Sequence, residues 1–104
     1  MGLYNPVPKG LEPSDSATNV TNSLSTTEST LCPANDDRKG LSFYNSTTAT
    51  MLVSKVTGVT ATAFQFKMTP DQFYVHPMKD DPYTGPWYAI LTDGTGSAQV
   101  VESD

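Results

Sequence analysis

Between Leu41 and Val101 apolar residues recur at every second position: Leu41 and Phe43; Met51 and Val53; Phe64, Phe66 and Met68; Phe73 and Val75; Trp87, Ala89 and Leu91. A period of two is what a β-strand with one buried face imposes, because successive side chains point to opposite sides of a sheet. The spacing predicts strands over 41–45, 50–56, 60–68, 72–76, 87–92 and 98–102, with two weaker ones near 19–25 and 28–32. The phase turns Phe64, Phe66 and Trp87 inward, and Tyr74 and Tyr88 outward. No i, i+3, i+4, i+7 stripe is long enough to predict a helix.

Turn residues punctuate the pattern. Pro33 with Asp36 and Asp37, Asn45 with Ser46, Thr57-Gly58 and Pro70-Asp71 all favour reversals. Pro77, Pro82, Pro86 and Gly85 make 77–86 a loop, and Asp93-Gly94-Thr95-Gly96 reads as a hairpin. Seven or eight short strands at this interval predict an all-β fold, an antiparallel β-sandwich or a jelly-roll-like barrel. Residues 18–104 make that domain. Residues 1–17 read as an extended Pro-rich N-terminal arm, since Pro6, Pro8 and Pro13 forbid helix and interrupt sheet pairing. Leu3, Tyr4, Val7 and Leu11 are its apolar anchors and the expected grip on a partner.

A chain of 104 residues is one domain, and so small a domain gains stability by assembling or by docking on something larger. The expected state is a homo-oligomer, a dimer or trimer. Thr is abundant (15 residues), which suits strands. Six Lys and Arg against 11 Asp and Glu give a net charge of −5 and argue against nucleic acid as a partner, which would need a basic footprint. The N-terminus lacks a basic start followed by an apolar run, and no apolar stretch reaches the ~18 residues of a membrane span, so no membrane partner is expected.

Side chains that could do chemistry are few. His76 is the only histidine and Cys32 the only cysteine. The expectation is a surface or loop His76 with a local hydrogen bond, and a buried Cys32 acting as a small hydrophobe. Asp36-Asp37 and Asp80-Asp81 read as solvated loop carboxylates. No catalytic, cofactor-binding or metal-ligating residue is assigned, no cofactor is expected, and the chain is read as not an enzyme. Tyr74, Tyr83, Trp87 and Tyr88 form the densest aromatic group. Trp87 shares the core phase, leaving Tyr74, Tyr83 and Tyr88 as candidates for a contact surface.

The run from Asn35-Asp36-Asp37-Arg38-Lys39-Gly40-Leu41 to Ser46 resembles the opening of small β-sandwich virion proteins of tailed bacteriophages. The later order of Met51-Leu52-Val53, Phe64, Phe66, Tyr74, Tyr83-Thr84-Gly85-Pro86-Trp87 and 96–102 extends the likeness over roughly residues 31–102. The resemblance implies a virion structural role, foremost a capsid decoration (cement) protein that binds and stabilises the head shell. Its partners would be the major capsid protein or other virion proteins, and its location the virion, assembled in the host cytoplasm. The alternative is a binding module, for carbohydrate, of a phage fibre, spike or head–tail connector. Arg38 is expected to clamp a loop carboxylate rather than touch a ligand.

Overall fold

Residues 17–104 are described by the computed structural model, and among them the chain forms eight strands and no helix. The strands are β1 (Ala17–Leu24), β2 (Ser29–Cys32), β3 (Gly40–Asn45), β4 (Met51–Ser54), β5 (Phe66–Met68), β6 (Phe73–Val75), β7 (Trp87–Leu91) and β8 (Gly96–Ser103). They build two antiparallel four-stranded sheets, ordered β1-β8-β3-β6 and β2-β7-β4-β5. The sheets pack face to face and remain open at their edges. Leu41 and Phe43 from the first sheet meet Met51, Val53, Ala89 and Leu91 from the second, with Trp87 fully buried among them. The predicted anchors Leu3, Tyr4, Val7 and Leu11 lie outside the described residues. Ala17 already pairs with Ser103 and belongs to β1.

Most of the predicted strands form, but two are phased or bounded differently. The strand expected over 60–68 is reduced to Phe66–Met68. Thr60 and Ala63 instead close a tight turn by exchanging backbone hydrogen bonds. That segment folds across the outer face of β4 and β7, where Val59 covers Leu52 and Ile90. Glu28 holds it there by accepting the Gly58 and Val59 N–H groups, both at 2.7 Å, and Gly58 takes the left-handed φ (+88°) that the bend requires. Phe64 is consequently 41% exposed rather than core, while Phe66 packs on Tyr74 and Trp87.

In β6 the phase is opposite to the expected one. Tyr74 stands beside Phe43 in register and so points inward, leaving Phe73 and Val75 outward at 72% and 63% exposed. The four residues Asp93–Gly96 do not make a hairpin either. They carry the chain from β7 in one sheet to β8 in the other. Gly94 supplies a left-handed φ of 66° for the crossing, and Gly96 lets Thr47 approach so closely that a Cβ there would sit 2.7 Å from its methyl.

Candidate binding surface

The outer faces of the two sheets are unlike. On the second sheet Val59 shelters Leu52 and Ile90, while Val56 and Phe64 of the same segment stay exposed. The outer face of the first sheet is open. Leu41 and Phe43 point into the core, so Ser42 and Tyr44 point out, and their register partners Val75 and Phe73 on β6 and Val101 on β8 share that face. Tyr44, Phe73, Val75 and Val101 therefore form one exposed apolar strip across β8, β3 and β6. Its border is polar: the Tyr44 hydroxyl donates to Asp71 Oδ1 at 2.8 Å, a bond that pushes the phenol pKa up from its usual value. Isolated surface apolar residues need no explanation; these four lie close together across three strands by register. Of the four, Tyr44 and Val101 lie in the segments that carried the resemblance; the signal that would have found the strip is the β3–β6 register.

Of the predicted contact tyrosines, two pack in the aromatic cluster and the third stands on the outer face of β7. Tyr74, Tyr83, Phe43, Phe66 and His76 surround Trp87, with centroid distances to the indole of 5.1–6.3 Å. Tyr83 donates to the Pro86 carbonyl at 2.8 Å. Burial raises the pKa of both Tyr74 and Tyr83, so each stays a neutral phenol. Tyr88 does lie on the opposite face of its strand from Trp87, half-buried against Leu52, Val59 and Ile90.

His76 makes local hydrogen bonds, as expected, but is buried rather than at the surface. Tyr74 precedes it by two residues and brings it under the 77–86 loop. Its Nε2–H donates to the Asp81 carbonyl at 2.8 Å, which fixes the neutral tautomer and leaves Nδ1 to accept from the Tyr74 hydroxyl at 3.1 Å. Asp81 is not simply solvated: its carboxylate pairs with Lys55, which lies over the Tyr83 and Trp87 rings, and comes within 3.5 Å of the imidazole. Burial lowers the His76 pKa; the Asp81 carbonyl and carboxylate oppose that shift, and the positive charges of Lys55 and Arg38 add to it. The unfolded chain thus takes up the proton first. Stability is full above the unfolded value of about 6.5 and falls as pH drops below it, down to the lowered native pKa. Urea midpoints should decline from pH 7.5 to 5.5, and decline less in His76→Gln. Parallel curves for the two proteins would contradict this.

Arg38 lies at the same end of the core, just before β3, and is fully buried. Its Nε donates to Glu102 Oε2 at 2.5 Å, Nη1 to the carbonyls of Tyr83 (3.2 Å) and Gly85 (2.9 Å), and Nη2 to the Pro33 carbonyl (2.7 Å) and Cys32 Sγ (3.2 Å). It is a clamp, as expected, but its carboxylate comes from strand β8 and not from a loop. Cys32 is buried, as expected, and donates to Glu102 at 3.5 Å. Burial pushes its thiol up to about 11, with Glu102 adding and Arg38 opposing, so it is not a thiolate at neutral pH. Asn45 plugs the core between β3 and β5: its Nδ2 donates to the Ala49 and Met68 carbonyls, and its Oδ1 accepts from the Thr47 amide and hydroxyl. The motif positions Arg38, Leu41 and Asn45 are therefore all structural. Among the described residues no three His, Cys, Asp or Glu side chains gather as a metal site would need.

No family model matches the chain, and neither a curated protein nor a solved structure does.

Proposed function

We propose that this chain is an attachment module, and specifically a decoration (cement) protein of a tailed-bacteriophage head shell. The observation that carries the reading is the open apolar strip of Tyr44, Phe73, Val75 and Val101 on one sheet, opposite a sheet on which Val59 covers Leu52 and Ile90. A rigid body with one bare face is built to be seated on something larger. The interior polar groups support this, since Arg38, Asn45 and His76 are all engaged with neighbours in the fold. The winding supports it by analogy. Four strands per sheet, with β1 beside β8 and β2 beside β7, is the double Greek-key arrangement of a jelly roll, an architecture used by viral capsid and lectin domains. The partners on this reading are the major capsid protein or another virion protein, and the module works as a homo-oligomer, so that weak contacts are multiplied by valency.

A carbohydrate-binding module would want an open pair of coplanar rings. Tyr74 and Tyr83 pack on Trp87 and Tyr88 is half-covered, so these three tyrosines do not favour that reading.

The double variant Phe73→Ser, Val75→Ser should keep its unfolding midpoint, because exposed substitutions usually change stability by within about 0.5 kcal/mol. It should lose binding to purified head shells. Unchanged shell binding would remove the strip from the reading. Copy number in purified particles tests the reading itself: hundreds per particle are expected of a cement protein, whereas a dozen or fewer would place the chain in a portal, collar or tail.

A further inference from the structure

Each sheet has two edge strands, and an unpaired edge is a template for another strand unless it is short, bulged, charged or interrupted by proline. Three of the four edges are guarded in this way. β5 and β6 are three residues long, and β5 carries Lys67. β2 has four residues and its register slips between Thr30 and Cys32. β1 is different. Its eight residues, Ala17-Thr18-Asn19-Val20-Thr21-Asn22-Ser23-Leu24, contain no charge, no proline and no glycine, and they pair with β8 without a break from Ala17↔Ser103 to Leu24↔Gly96. No described strand pairs with its other side. β1 also borders a groove of about 270 Å³ between the sheets, lined by Val20, Leu31, Cys32, Pro33 and Val100 among others. Val20 sits at its mouth, 45% exposed.

We infer that β1 is the surface through which two copies of this chain pair, edge to edge and antiparallel, about a two-fold axis at Val20. The inference rests on the homo-oligomer of the reading above and names the strand that makes it. A second copy is the occupant that the charges favour: the chain carries −5, and β1 is a long uncharged seam along which two acidic molecules can meet. A two-fold at Val20 sets Val20 against its own copy, Thr18 against Asn22 and Asn19 against Thr21. Val20 is then covered by its symmetry mate at the mouth of the groove, and the hydroxyl and amide side chains meet as cross-strand pairs. The contact is self-complementary, as a closed dimer requires. It joins the two copies into one eight-stranded sheet and leaves the Phe73 and Val75 strips free at its two ends.

The test uses the full chain. Light scattering across a wide concentration range should give twice the 11.2 kDa of one chain. Val20→Lys and Val20→Glu, each checked for an unchanged thermal midpoint, should be monomers, and mixing them should restore the dimer, because residue 20 faces itself across the axis. Thr21→Lys, on the exposed outer face, serves as a second edge variant should either of these fold poorly. It should weaken the dimer by at least tenfold. A wild-type chain that stays monomeric overturns the inference. So does an oligomer that none of the β1 variants changes, or a Lys and Glu mixture that stays monomeric. Shell binding and particle copy number are separate measurements, so loss of the dimer and loss of the cement role are told apart.

Discussion

Replacing Arg38 with Ala is expected to remove about 3–5 kcal/mol of stability, the range found when one partner of a buried ion pair is deleted. The domain as a whole has only about 5–15 kcal/mol to lose. The cost is high because the guanidinium serves three parts of the chain at once. It holds the end of β8 through Glu102, the 83–85 loop through two carbonyls, and the segment after β2 through Pro33. Deleting it leaves Glu102 half-enclosed without its counter-charge and takes the guanidinium N–H groups from three carbonyls. Lys at this position carries the charge but lacks the planar fork that spans such separated acceptors, so Arg38→Lys should recover only part of the loss. Guanidinium unfolding, followed by the fluorescence of the single tryptophan, measures both variants. A loss under about 1 kcal/mol, typical of an exposed pair, would show that the clamp is not closed in solution.

Trp87→Ala should cost a comparable amount, about 3–5 kcal/mol, as large-to-small changes at fully buried aromatic sites do. Phe43, Phe66, Tyr74, His76 and Tyr83 all rest on the indole, so its removal opens a cavity that five rings cannot fill without moving. Trp87→Phe should be much milder. The indole N–H finds no acceptor among the described residues, so the Phe variant loses ring volume but breaks no hydrogen bond. Far-UV circular dichroism with urea gives both values. Equal losses for Phe and Ala would mean that the packing around residue 87 tolerates no change of shape, and that ring volume is not what sets the cost.

Where one side of a strand is polar, the alternation of the sequence was enough to place it. Leu41-Ser42-Phe43 is such a case, and β3 forms with the phase it predicts. Phe73-Tyr74-Val75 is apolar on both sides, so period two cannot choose, and pairing decides instead. Register with Phe43 and the acceptor offered by His76 draw Tyr74 inward. The segment 60–66 reads as a strand because Phe64 and Phe66 alternate. What overrides the alternation is Glu28, more than 30 residues earlier in the chain, whose carboxylate bends Gly58 and Val59 over the outside of β4. Asp93-Gly94 has the chemistry of a reversal and makes one, yet no local signal says that the next strand joins the other sheet. The open strip is the same kind of case: Tyr44, Phe73, Val75 and Val101 sit on three strands, and only their registers bring them together. Arg38 could be read as structural from the motif, but its partner Glu102 is 64 residues away.

The first described strand is held in its sheet by the last, since Ala17 pairs with Ser103 and Leu24 with Gly96. β3 too leans on β8 along its whole length. A nascent chain that has reached only β7 therefore has one sheet without its second strand, and no strand in that sheet for β1 to pair with. Such distant pairing puts the protein among slow folders, on the scale of milliseconds to seconds. Folding must wait until residues 96–103 have left the ribosome, so the two-sheet body is completed all at once and only after that point.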